Sequence, residues 1–151
     1  MMGAGPWTVY NSARRLLGEG AIDLSNDLFA MALFTHESNA SDLTMVILSE
    51  LNGEVANGHG YTQGGQQMSN IIWDVADTPD EMRFTCDALT WNASGGDIVD
   101  VQYAVIFRKS GGAPTDYLLC FAALDENGPF TVPNGDPLFV GINVGGIFEL
   151  K

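Results

Sequence analysis

At 151 residues the chain is long enough to bury a core without metals or disulfides. Its 46% hydrophobic and 17% charged residues describe a folded domain rather than a disordered segment. Six basic residues against nineteen acidic ones give a formal charge of −13 and a pI near 4.1. That balance argues against nucleic acid as a partner, because phosphate binding needs clustered Lys and Arg and the only basic pairs are Arg14-Arg15 and Arg108-Lys109.

The longest apolar run, Leu28 to Phe34, is far below the roughly 20 residues of a membrane-spanning helix, so no membrane partner is expected. The opening MMGAGPWTVYN has no basic residue ahead of an apolar stretch, so no secretory signal is expected either. One domain over 1–151 is expected, with 1–20 as an N-terminal helical arm.

In that arm Tyr10, Ala13, Leu16 and Leu17 recur at helical spacing from Thr8, with Arg14 and Arg15 on another face. Gly18-Glu19-Gly20 predicts the end of the helix, and the two arginines near it suit the helix dipole. Such a helix can pack on the edge of a β body or dock onto a partner, and the sequence leaves both open.

Leu28 to Thr35, LFAMALFT, is apolar on both faces and predicts a strand buried on both sides. Ser41 or Asp42 can cap a helix over Leu43 to Leu51 that Asn52-Gly53 ends, although Val46-Ile47 keeps a strand open there. Glu54 to Met68, EVANGHGYTQGGQQM, has glycines at 58, 60, 64 and 65 and reads as a long irregular loop. Strand signals follow in Gln67 to Val75 and in Glu81 to Asp87. Trp91 lies in a short apolar segment before the Ser94-Gly95-Gly96-Asp97 turn.

Ile98 to Lys109 reads as one long central strand, with Val99, Val101, Tyr103, Val105 and Phe107 on one face. Gly111 to Thr115 then predicts a hairpin connection to a return strand, Tyr117 to Leu124, apolar on both faces. Pro129 and Pro133 confine Phe130 to Val132 to an edge, and Leu138, Val140, Ile142 and Val144 alternate as in a half-buried strand. Short strands without βαβ alternation point to an antiparallel sandwich or barrel; the expected fold is mainly β, an antiparallel β-sandwich (jelly-roll or immunoglobulin-like) with one or two short helices near the N-terminus.

Catalytic and metal-binding patterns are weak. His36 and His59 fit no metal motif, no GxSxG elbow occurs, and Gly64-Gly65 lacks the lysine of a phosphate loop. The acidic groups Asp74, Asp77, Asp80 and Glu81, and Asp97 with Asp100, lack EF-hand spacing and read as solvated loops rather than calcium sites. Cys86 and Cys120, both on predicted strands, read as buried thiols rather than a disulfide. Trp73 is in phase with Ile71 and Val75 and is expected in the core. Tyr61, surrounded by glycines, is the aromatic ring expected to be exposed. No catalytic residue, metal or cofactor is therefore expected. The residues expected to meet a partner are Trp7, Tyr10, Arg14 and Arg15 in the arm, and His59, Tyr61 and Gln63 in the glycine loop.

The order GYTQGGQQM (Gly60 to Met68), TWNAS (Thr90 to Ser94), YAVIF (Tyr103 to Phe107), LLCFAAL (Leu118 to Leu124), FTV and GIFEL (Gly146 to Leu150) resembles small virion structural proteins of tailed bacteriophages. The resemblance covers roughly the last ninety residues and rests on glycines and core strands; the N-terminal helix departs from it. It implies a non-enzymatic capsid decoration, or cement, protein on the outer surface of the virion, made in the host cytoplasm. The implied partners are the major capsid protein or another virion protein, together with copies of itself. A tail or head-fibre component is the near alternative, and a carbohydrate-binding module using Tyr61 and Trp91 a more distant one.

Overall fold

The structure, a computed structural model, describes residues 2–3, 6–75, 82–110, 115–142 and 146–150. The strands are β1 (Met2–Gly3), β2 (Thr8–Val9), β3 (Phe29–Phe34), β4 (Gln66–Gln67), β5 (Ile72–Val75), β6 (Met82–Thr85), β7 (Leu89–Asn92), β8 (Ile98–Val101), β9 (Tyr103–Arg108), β10 (Leu118–Ala123), β11 (Phe130–Val132), β12 (Pro137–Gly141) and β13 (Phe148–Leu150). Among the described residues there is one α-helix, α1 (Asn11–Glu19), between β2 and β3. The fold is thus mainly β, with antiparallel sheets. Among the described strands only β1 pairs in parallel, against β12.

The largest sheet runs β2-β10-β9-β3-β4. Every residue of β3 is buried, as its two-faced apolar run predicts, and β9 and β10 form the expected hairpin pair. Alternation puts Phe29, Met31 and Leu33 of β3 on one face with Ala104 and Ile106 of β9. That face meets β6, where the Phe84 and Phe29 rings pack edge to face at 5.5 Å. Phe148 of β13 then stacks on Phe84 at 5.3 Å, and Trp73 of β5 lies 6.2 Å from Phe148, half-buried against the core rather than within it, while Val75 of the same phase is exposed. Trp91 is buried within β7. Cys86 and Cys120 are buried free thiols.

The helix packs inward. Ala13 and Leu16 are buried, the backbone N–H of Tyr10 donates to Leu119 O at 3.1 Å, and the Tyr10 ring sits 5.6 Å from Phe121 of β10. Gly20 ends the helix in the left-handed conformation (φ 80°) and donates to Leu16 O and Leu17 O, as the glycine pair predicts. Arg14 and Arg15 fall outside the last turn, so the dipole argument fails. Arg15 pairs instead with Glu19 at 3.1 Å, one turn on.

Two sequence expectations are corrected. Ile98 to Lys109 is not one strand: Asp100 takes φ 59°, and the chain divides into β8, which pairs with β11, and β9, which pairs with β3 and β10. The kink shifts the alternation, so Val99 is 56% exposed while Val101 is fully buried. Leu43 to Leu51 holds no α-helix. Leu118 N–H donates to Val46 O, Leu48 N–H donates to Asp116 O, and Ile47 bridges Tyr117, leaving a single 3₁₀ turn at Leu48–Glu50. Cross-chain partners for these amides outcompete local helix bonds, in line with the β-branched Val46-Ile47. Val144, Asp77, Asp80, Glu81 and most of the Gly111 to Thr115 connection lie outside the described residues.

Candidate functional site

The glycine-rich loop is ordered around one tight hairpin. Gly58 and Tyr61 exchange backbone hydrogen bonds of 2.8 and 3.1 Å, with His59 (φ 56°) and Gly60 (φ 96°) at the turn. Positive φ at both central residues is what a type I′ turn demands. The hairpin docks on the turn between β7 and β8, where Ser94 N–H donates to His59 O at 3.1 Å. His59 Nδ1 lies 3.0 Å from Asp97 O. A carbonyl only accepts, so this nitrogen carries a proton and donates. Gly96 makes room for the imidazole, because a Cβ there would lie 2.6 Å from the ring.

Two glycines mark where backbone rests on backbone. A Cβ on Gly60 would overlap the Asn92 carbonyl, and one on Gly65 would overlap the Met31 carbonyl of β3. Gly58 and Gly64 meet nothing. The loop is irregular apart from β4, as its glycines predict, and it is pinned along two seams.

Beneath it, Tyr61 corrects the expectation of an exposed ring: it is 2% exposed and lies 6.4 Å from Trp91. Its hydroxyl accepts the Leu33 N–H at 2.9 Å and donates to Glu54 Oε2 at 2.6 Å. The same carboxylate accepts the Gly64 N–H at 2.7 Å. Burial first, then the Glu54 charge, raises the Tyr61 pKa, so the hydroxyl stays protonated. Glu54 thus joins both arms of the loop to β3, and it was missed because nothing local marks a long-range carboxylate acceptor. With Tyr61 and Trp91 buried against each other, neither offers a ring face to a sugar.

The other expected partner residues divide by exposure. Gln63 is exposed, with its backbone N–H on Asn57 Oδ1 at 2.6 Å, and His59 is exposed. Arg14 and Arg15 project from α1. Tyr10 is fully buried, its hydroxyl donating to Ala40 O, so it cannot meet a partner directly. Trp7 is half-buried, and its indole N–H finds no acceptor among the described residues. His59, Tyr61 and Gln63 share one loop against β3 and the 92–97 turn, whereas Trp7, Tyr10, Arg14 and Arg15 belong to the segment against β10.

The loop leaves a cleft of about 170 Å³ beside Val55, His59 and Val99, and another of about 450 Å³ between Gln63, Gly64, Lys109 and Asp116. These walls offer amide, imidazole and backbone groups for hydrogen-bonded contact. Among the described residues no three His, Cys, Asp or Glu side chains converge as a metal site. Comparison with known protein families, curated proteins and solved structures finds no match to the chain.

Proposed function

We propose that the chain is a non-enzymatic structural protein of a tailed-phage particle, a decoration protein bound outside the major capsid protein shell. We further propose that its sheets are the layers of an antiparallel sandwich of the jelly-roll or immunoglobulin type. The observation that carries the functional reading is the segment order from Gly60 to Leu150 that resembles small phage virion proteins. The pinned loop supports it physically: a contact repeated many times over a shell gains most from a surface ordered before binding. The acidic exterior suits an outward-facing position better than one lining a DNA channel, where phosphates would be repelled.

The test is addition of purified protein to capsids that lack it, followed by imaging and heat challenge. Ordered occupancy at regular shell positions and a raised disruption temperature are expected, both weakened by Gln63→Ala. Failure to bind such capsids, with density found only in the tail, rejects the reading.

A further inference from the structure

Strand β5 is the outer strand of the β13-β6-β5 sheet. β6 covers one of its edges, and no described strand covers the other. Exposed edges are commonly blunted by shortness, charged side chains, Pro or a bulge. β5 is short and reads Ile72-Trp73-Asp74-Val75, so its one charge is an anion; it has no Lys or Pro, and its pairing with β6 runs in unbroken register. Ile72 and Val75 are 43% and 55% exposed. Ile72 and Asp74 share a face with Thr85 and Arg83, while Trp73 and Val75 share the other with Phe84 and Met82. Beside Trp73 opens a cleft of about 350 Å³ lined by Leu17, Ile22, Leu24 and Asp23.

We propose that the open edge of β5 takes up an extended segment of a partner protein as an added strand, with a Lys or Arg opposite Asp74 and apolar residues beside it. Main-chain bonds supply affinity in this mode, and alternate side chains supply choice. The charge preference follows from Asp74, which is exposed: its carboxylate accepts the Val75 N–H at 2.7 Å, Arg83 of β6 stands opposite it on the inner side, and the outer side is where an added strand can bring a second cation. Asp23 adds a second carboxylate in the cleft, held ionised by the Asn26 side chain and the Ser25 amide. The body behind them carries −13.

A second copy fits poorly. A two-fold axis normal to the sheet keeps outer face beside outer face, so only residues of the same phase can stand opposite each other. Asp74 then faces Asp74, or Trp73 faces Trp73 with Asp74 against Ile72. Neither register adds a cation to the one Asp74 already faces, Arg83 of β6. The inference does not depend on the capsid reading.

The probe is a fluorescein-labelled decapeptide of alternating lysine and valine, with its glutamate-valine counterpart, followed by anisotropy and amide hydrogen exchange on the full chain. Saturable binding of the lysine peptide is expected, with exchange slowed at Ile72 to Val75. Asp74→Lys should weaken it by about fivefold or more and strengthen the glutamate peptide. Asp74→Asn should fall between the two. Equal binding of both peptides, affinity unmoved by Asp74→Lys, protection confined to other strands, or a dimer protected at β5 without peptide would each overturn the proposal.

Discussion

Gly60 and Gly65 hold positive φ where any side chain would strike a carbonyl of another segment, Asn92 in one case and Met31 in the other. Left-handed strain costs an L-residue roughly 1–2 kcal/mol, and backbone overlap adds to it. Gly60→Ala and Gly65→Ala should therefore lose more than about 2 kcal/mol in urea unfolding, against about 1 kcal/mol for Gly58→Ala, whose Cβ meets open space. Equal losses at all three positions would mean that the seams do not bear on stability. Tyr61 tests the same region from below. Tyr61→Phe leaves the Leu33 N–H buried and without this acceptor, which should cost about 1–3 kcal/mol. Cys86 shows burial acting on chemistry: desolvation, then the neighbouring Asp87 charge, pushes its thiol up to about 12. Iodoacetamide should accordingly label native protein slowly and urea-unfolded protein quickly.

Among the elements, β3, β9, β10 and β12 were legible because uninterrupted or alternating apolar residues report burial directly. The kink at Asp100 was not, because hydropathy alternation carries no information on φ. The misplaced helix at Leu43 to Leu51 has a similar origin, since its amides find partners at Asp116 and on Glu50, outside any helical pattern. At the site, the sequence located the loop and its irregular course but not the direction of Tyr61. Two of its glycines, Gly60 and Gly65, prove to be places where other backbone comes close, and Tyr61 went inward with them.

Glu50 also sets an acid response. Its carboxylate accepts the Ile47 and Val46 N–H groups at 3.0 and 2.8 Å, which lowers its pKa below the ordinary value. A lowered folded pKa stabilises above the unfolded carboxyl value of about 4, and that contribution is lost as pH falls through the folded value. The stability gap between wild type and Glu50→Gln should therefore close in urea titrations taken from pH 7 toward pH 3. A gap that stays constant with pH contradicts this.

For the molecule as a whole, −13 on 151 residues is a repulsive load that six basic residues against nineteen acidic ones can only partly relieve. The described pairs include Arg15–Glu19 at 3.1 Å and Arg108–Asp27 at 3.0 Å. Raising salt from about 10 mM to 0.15 M shortens the screening length from roughly 30 to 8 Å. The melting temperature should therefore rise with sodium chloride at neutral pH, and a fall would show that the pairs outweigh the repulsion.

The covered margin of β3 has a consequence for shelf life. FAMALF is six uncharged residues without proline, the composition of segments that stack into fibrils once their edge is bare. Here that edge is occupied by β4, by the Val55 N–H on Leu33 O at 3.0 Å, and by one tyrosine hydroxyl. Removing that hydroxyl also opens a docking place for another unfolded chain. On storage, Tyr61→Phe should form thioflavin-positive aggregate sooner than a core variant matched to it in unfolding free energy.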